Sequence, residues 1–276
     1  MEIWIITNES LIRLSFFIGI FIIIGLWEII APRRPLNYSK TVRWYSNFGI
    51  VFINNIIVRL LFPVLASGLA AQCYEKGWGI LNNYEVPSIM GFTAALLIMD
   101  GAIYIQHVLF HTLPLLARFH GMHHTDLDLD VSSGARFHPV EIIVSMLIKL
   151  SVISIIGPSV LSVIIFETGL NMGSMFNHGN IYIPVKIDRI LRYFVVTPDM
   201  HRVHHSVIRS ETNSNFGFNF PWWDRLFGTY CAQPKEGHDG MVIGIPKFRD
   251  SANLHLHKML IQPFVKDTKG AQHKND

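Results

Sequence analysis

Cysteine is almost missing from this chain. Cys73 and Cys231 are the only two in 276 residues and lie far apart, which excludes a disulfide framework and a thiolate metal cluster. Charge is scarce as well. Asp, Glu, Lys and Arg make up 16% of the residues, and 23 basic against 20 acidic side chains leave a net charge of +3, too little to imply a nucleic-acid partner or a polyanionic substrate. There is no G-x-G-x-x-G or haem-binding motif to carry a redox cofactor, no H-E-x-x-H, no internal repeat and no low-complexity tract. What is abundant is apolar: half of the residues are hydrophobic and mean hydropathy is +0.33, which excludes a disordered chain and nearly every ordinary soluble domain. Against that background stand 14 histidines, ten of them between His107 and His205.

The apolar runs predict membrane spans. Leu11 to Ala31 is apolar except for Arg13 and Glu28 near its ends, and it is long enough to cross a hydrocarbon core of ~30 Å. It lacks the basic start and the small-residue cleavage site of a signal peptide and is read as a transmembrane helix. Trp44 to Ala71, interrupted by Asn54, Asn55, Arg59 and Pro63, reads either as one long kinked helix or as a helix that faces protein for much of its length, because Arg59 against lipid is too costly. Val86 to Leu113 forms a third span with Asp100 near its middle. Val140 to Phe176 forms a fourth region, broken at Gly157-Pro158 into a hairpin. Val185 to Val196 alternates apolar and basic residues and reads as a helix lying in the interface. The predicted fold is all-α: a multi-pass transmembrane helical bundle of about 4 to 5 membrane segments, one a hairpin, with a cytoplasmic histidine-rich cap. Orientation follows from Arg33, Arg34, Lys40 and Arg43 in the first loop, against Lys76 alone between Cys73 and Glu85. That puts the first loop, and by parity all ten clustered histidines, on the cytoplasmic face.

The histidine spacing carries the chemistry. Asp100, Tyr104, His107 and His111 recur at helical spacing and share one polar stripe on an apolar span. His120, His123 and His124 stand at i, i+3 and i+4, a spacing that points side chains at a common metal from one helical turn, and His201, His204 and His205 repeat it. A single interfacial histidine is usually a satisfied polar residue. Eight on one membrane face are not, because buried imidazoles with no cation are donors and acceptors with nothing to bind. Eight neutral nitrogens fill about four positions on each of two metals. His178, where the hairpin returns to the same face, is a further expected ligand. His138, in Phe137-His138-Pro139, is expected either to ligate or merely to start the fourth span. Imidazole suits zinc, iron, copper and nickel alike, so the ligands alone do not choose the metal.

His107-x3-His111, His120-x2-His123-His124 and His201-x2-His204-His205, together with the Asn215-Phe216-Gly217 and Trp223-Asp224-Arg225-Leu226-Phe227-Gly228-Thr229 runs, resemble the fatty acid hydroxylase and sterol desaturase superfamily over roughly residues 95 to 232. The resemblance implies a di-iron centre, with zinc as a possible substitute, held by the three motifs and by His178. It further implies an integral-membrane oxidoreductase that uses oxygen and external electrons to hydroxylate or desaturate a lipid. Related desaturases can carry a polar residue one turn before the His178 position; here that residue is Ser174, a poor ligand, and His138 is the candidate to replace it. The implied chemistry is consistent with the residues, since breaking an unactivated C–H bond needs a redox metal, oxygen and two electrons rather than an acid or base.

With no cofactor motif of its own, the chain needs a separate electron donor, a reductase, cytochrome or ferredoxin. Lys186, Arg189, Arg192, Arg202 and Arg209 offer it a basic surface, or else simply attract anionic headgroups. Asp100 is read either as an acceptor that orients a ligand or as the partner of Arg59, and Glu141 and Asp199 as acceptors behind ligands. The aromatics from Phe216 to Phe227 either line a lipid entrance or anchor the cap at the interface. Residues 1–85 are assigned to N-terminal transmembrane helices, 86–232 to the catalytic domain and 233–276 to a polar cytoplasmic tail, partly disordered near its end. The alternatives are a membrane zinc-dependent hydrolase, disfavoured because no motif holds a carboxylate base, and a metal-binding transporter, disfavoured because the histidines gather at one face. Partners are the lipid substrate and the bilayer, with no nucleic acid. The absence of a K-D-E-L or dilysine signal fits a bacterial plasma (inner) membrane.

Overall fold

The computed structural model describes residues 2–265, which form helices joined by short loops; 68% of the protein is helical, with no strand among the described residues. α1 (Glu2–Thr7) leads into α2 (Glu9–Ile30), followed by α3 (Lys40–Leu61), α4 (Ala66–Lys76), the short α5 (Ile80–Asn83), the long α6 (Ser88–Thr112) and α7 (Pro114–His124). α8 (Pro139–Ile156) and α9 (Val160–His178) form the hairpin, and α10 (Val185–Leu191) and α11 (Pro198–His204) follow. Four short helices, α12 (Arg209–Thr212), α13 (Trp222–Leu226), α14 (Gly237–Gly240) and α15 (Leu256–Ile261), complete the α-helices among the described residues, with 3-10 turns at Ser133–Ala135, Ser251–Leu254 and Gln262–Phe264.

Four segments are long and apolar enough to cross a membrane: Glu9–Ile30, Lys40–Asn83, Ser88–Thr112 and Pro139–Ile156. α9 returns beside them. The hairpin turns where expected: Gly157 ends α8 in the left-handed conformation at φ 62°, and the Ser159 side chain accepts from Ser162 N to start α9. The second apolar stretch is two helices rather than one kinked helix. Pro63 interrupts it, and α3 and α4 then run in series along α8, with Asn54 donating to Phe137 O at the start of α8 and Cys73 against Ile153 near its end. Arg59 is exposed in the last turn of α3, so the expected shielding by protein is corrected: the charge stands at the end of the helix, where a long side chain can reach polar surroundings.

Helix contacts within the bundle use small side chains. Ala66, Ala70, Cys73 and Ala95 are buried between α4, α6, α8 and α9, where they let backbones approach closely. Larger apolar residues such as Phe16, Ile22, Phe52 and Leu60 point outward, as a lipid solvent permits. α2 packs in parallel along α9, so that Arg13 meets Glu167 while Ile24 lies against Gly179.

At the end of the bundle where α6 and α9 finish, the loops form a polar layer. Arg43 is fully buried there, donating from Nε to Asp126 at 2.8 Å and from Nη1 to Asp130 at 2.6 Å. Burial alone would raise the Asp126 carboxyl, but Arg43 and Arg136 overcome it and hold it at about 2. Glu28 accepts from Val131 N, Asn180 N and Lys40 Nζ and so ties α2 to two loops of this layer. The predicted interfacial helix is shorter than the 185–196 pattern: it ends at Leu191, and its outward Val185, Ile187 and Ile190 continue into exposed Tyr193 and Phe194.

Candidate metal centre

Each histidine-bearing element is fixed by local chemistry before any metal is considered. α7 and α11 both start with proline at the first turn, and Thr197 caps α11 by accepting from Met200 N. α9 ends at His178, whose position depends on Gly134: a Cβ there would meet Ser174 O at 2.5 Å, and Ser174 Oγ donates to Gly134 O. The Asn215 side chain bridges Met200 O and Cys231 O and holds its own backbone at φ 51°, a conformation that asparagine tolerates. Asp224 accepts from Phe216 N and Gly217 N, which presents Phe216 O to the histidines.

Nine histidines converge in two groups. The ring nitrogens of His107, His111, His120, His124 and His204 lie within 4.8 Å of one another, and so do those of His123, His178, His201 and His205. The sequence expectation that each H-x2-H-H motif serves one common metal is corrected. His120 and His124 enter the first group and His123 the second, whereas His201 and His205 enter the second and His204 the first. The physical reason is ring orientation. Adjacent residues on a helix diverge, and the planes of His123 and His124 cross at 88°, those of His204 and His205 at 86°.

The second hydrogen bonds fix the tautomers. His107 Nδ1 donates to Phe216 O at 2.8 Å, His123 Nδ1 to Arg136 O at 3.0 Å, His178 Nδ1 to Ser174 O at 2.7 Å and His204 Nδ1 to Ser214 O at 2.8 Å. A carbonyl only accepts, so these four rings carry the proton on Nδ1 and turn a bare Nε2 inward. His123 Nε2 and His178 Nε2 face each other at 3.1 Å, with His201 Nε2 and His205 Nε2 at 3.1 and 3.2 Å from His178. Two bare lone pairs do not bond to one another; a shared cation satisfies both. The His204 Nε2, buried without a partner, makes the same demand in the first group. Protonation is no alternative, because burial and then the neighbouring imidazoles hold His120, His124, His201, His204 and His205 well below the ordinary histidine value. For His123 the causes are burial and then His178. The donor set therefore fits two adjacent metal ions, five imidazoles for one and four for the other.

The remaining expectations divide. His138 stands outside both groups: its Nδ1 accepts from Val140 N as the cap of α8 and its Nε2 donates to Leu260 O. Glu141 lies behind a candidate ligand, its Oε1 2.7 Å from His120 Nδ1. Asp199 does not touch the nine rings; it accepts from Arg33 and Arg202, and Arg202 in turn donates to Gly179 O beside His178. Asp100 has neither proposed role. It accepts from Asn219 Nδ2 and Trp223 Nε1, both at 2.8 Å, and so fastens the 213–230 loop to α6. Phe216 packs on the rings of His107, His111 and His204, while Trp222, Leu226 and Phe227 face outward. Arg192 and Arg202 are buried, so the basic surface shrinks to Lys186, Arg189 and Arg209.

Sequence reasoning used Glu28 and Arg43 only as charges at the end of the first span and in the first loop, and passed over Asp126, Asp130 and Arg136. Their only signal was Asp126, Asp128 and Asp130 alternating with leucines beyond the second histidine motif. The described part of the C-terminal segment also closes over the site, with Gly244 N donating to His205 O and Gln262 accepting from Thr125. The predicted disordered end of the tail falls on 266–276, outside the described residues.

A cavity of about 580 Å³ begins at His107, His120, His123 and His201 and runs down between the helices past Phe110, Ile142, Met175 and Phe218. The sequence profile of the fatty acid hydroxylase family matches residues 92–229, the stretch from α6 to the end of the aromatic loop. An ornithine lipid hydroxylase of Rhizobium tropici is 27% identical over 77% of this chain and 65% of its own length. Alkylglycerol monooxygenases of Xenopus tropicalis and Homo sapiens are 23% and 25% identical, over 78% and 61% of this chain and 48% and 37% of theirs. The chain thus spans less than two thirds of the length of each of these relatives. No solved structure matches it.

Proposed function

The chain belongs to the fatty acid hydroxylase family, and from that premise we propose that it is a membrane-bound di-iron oxygenase that hydroxylates a lipid with oxygen and electrons from a separate donor. The observation that carries this reading is the facing pair of bare Nε2 atoms on His123 and His178, with seven more imidazoles around them at the head of an apolar cavity. Iron held there would supply oxygen activation, which no acid or base in the chain provides. The protein's own part is to hold nine neutral ligands in fixed tautomers, to exclude bulk water and to present a lipid chain to them. Phe110 and Phe218 line the cavity where a methylene chain would approach the rings. Hydroxylation is preferred to desaturation because the relatives are named as a hydroxylase and monooxygenases acting on an ornithine lipid and on alkylglycerols. A hydrolytic zinc site is disfavoured: it needs a carboxylate facing the metals, and Glu141 is turned to His120 Nδ1 instead.

In this reading residues 86–232 are the catalytic unit, the histidine layer faces the cytoplasm of a bacterial inner membrane, and the electron donor docks near Lys186, Arg189 and Arg209. The test is lipidomic. The wild type and a His204→Ala, His205→Ala variant are expressed in one host, and a lipid that gains one oxygen atom only with the wild type supports the proposal. Loss of two hydrogens instead makes the enzyme a desaturase. Identical lipids in both strains, with the wild type folded, iron-loaded and supplied with electrons, sink it.

A further inference from the structure

The cavity does not end in hydrocarbon. At its far end α2, α8 and α9 bring together Arg13, Lys149 and Glu167, all of which line it. Glu167 is buried and accepts from Lys149 Nζ at 2.5 Å and from Arg13 Nη1 at 2.6 Å. Eleven residues of α9 separate Glu167 from His178, about 16 Å of helical rise or half of the hydrocarbon core. Charged groups at that depth are costly unless they serve a function. Two cations meet two carboxylates in this cluster, but only Glu167 of the two acids lines the cavity beside Arg13 and Lys149; Glu9 pairs with Arg13 from the partly exposed outer edge.

The unused hydrogen-bonding capacity has a direction. Arg13 makes both of its carboxylate contacts with Nη1, which leaves Nε and Nη2, and Lys149 uses one of three N–H groups. Near the histidines the cavity has the unpaired acceptors Asn54 Oδ1, Gln106 Oε1 and Glu141 Oε2 and no Lys or Arg among its lining residues, so its cationic donors are those at the deep end. An acceptor-bearing anion therefore has its complement at the deep end. The way in is also visible. α2 packs on α9 and α3 on α8, the two meet through Phe21, Trp44 and Phe48, and below these Leu14 and Asn55 line the cavity while exposed on the outer surface.

We propose that Arg13 and Lys149, with Glu167 as their fixed counter-charge, bind the oxyanion of an acidic lipid, carboxylate or phosphate, which enters sideways from the bilayer between α2 and α3. The proposal rests on the hydroxylase reading in that it names the lipid class that site takes. It places the oxidised carbon far along the chain from the acid group.

The test uses the purified full chain in phosphatidylcholine vesicles and reads the motionally restricted fraction of a spin-labelled lipid by electron paramagnetic resonance. The probes are doxyl-labelled stearic acid, a doxyl-labelled phosphatidic acid, and the stearate methyl ester as the neutral control. The wild type is expected to restrict one or both acids in excess of the ester, and which acid distinguishes carboxylate from phosphate. Lys149→Gln and Arg13→Gln each reduce that excess about tenfold, whereas Lys149→Arg keeps it and Glu167→Gln, which removes a competing anion, raises it. Equal retention of acid and ester by the wild type overturns the proposal. So does an excess untouched by Lys149→Gln, which would mean that the anion goes to the histidine-held metal. Should Lys149→Gln fail to fold, Lys149→Arg and Glu167→Gln still decide, and loss of the excess in either, with ester retention intact, overturns it. No turnover is involved, so failure here leaves the hydroxylase reading standing, and an unchanged lipidome beside an intact acid preference would sink that reading alone.

Discussion

The histidine layer and the bundle beneath it bury their groups in opposite ways. In the layer, polarity is buried, and much of it is matched by loop and helix partners. Arg43 meets Asp126 and Asp130, and four imidazoles each donate to a loop or helix carbonyl. In the bundle the helix contacts are apolar, with Ala66, Ala70, Cys73 and Ala95 packed among Met99, Ile153, Val163 and Phe166, and the Arg13, Lys149 and Glu167 trio lines the cavity wall. The difference teaches that metal holding and membrane packing are largely separable properties of this chain, so a change in one region should spare the other.

The sharpest break of that comparison is inside the layer itself. His178→Ala removes the ring whose Nε2 faces three others, and is expected to abolish loading of the four-histidine group, beyond the about 10–100-fold typical of a change behind a ligand. His111→Ala leaves four imidazoles in its group and should retain its metal. Metal content per chain, by elemental analysis, tests both; equal losses would dissolve the distinction between the groups.

Arg43→Met leaves the Asp126 and Asp130 carboxylates buried with their shared cation gone, and should cost about 3–5 kcal/mol in thermal unfolding of the detergent-solubilised protein. An unchanged melting temperature would mean that the layer does not depend on this pair.

Glu141→Gln replaces the carboxyl that accepts from His120 Nδ1 with a weaker amide acceptor, so metal affinity in a chelator competition should fall about 10–100-fold while the fold persists. In the bundle, Gly157→Ala forces a left-handed residue against Asn82 and Trp78 O and should cost about 1–2 kcal/mol or more, with metal content untouched. A loss of metal from that variant would couple the two regions after all. The mildest change is His138→Ala, which removes a cap worth about 1 kcal/mol and should leave both groups loaded.

How much of this was legible beforehand follows from the range of each interaction. Gly157-Pro158 could be read as a hairpin because a left-handed glycine followed by proline ends a helix whatever surrounds it. Pro63 was visible, but whether it kinks or splits the helix depends on what α8 offers alongside, so the split into α3 and α4 was not. Asp100 and Arg59 were matched by depth along the sequence; their rotation about the helix axes, set by packing, sends Asp100 to Asn219 and Trp223 and leaves Arg59 outside.

The sequence by itself determined that this is a multi-span helical chain with its histidines on one face, because hydropathy and helical spacing are properties of single segments. It also pointed to a metal as the ligand of the site, since eight imidazoles gathered close to the membrane suit a cation. Only the tertiary structure decided which histidine joins which group, that His138 is a cap, that Arg43 anchors the layer, and that a charged trio closes the cavity. Those outcomes rest on residues tens to more than a hundred positions apart, and their ring planes and donor directions are fixed only when the helices pack.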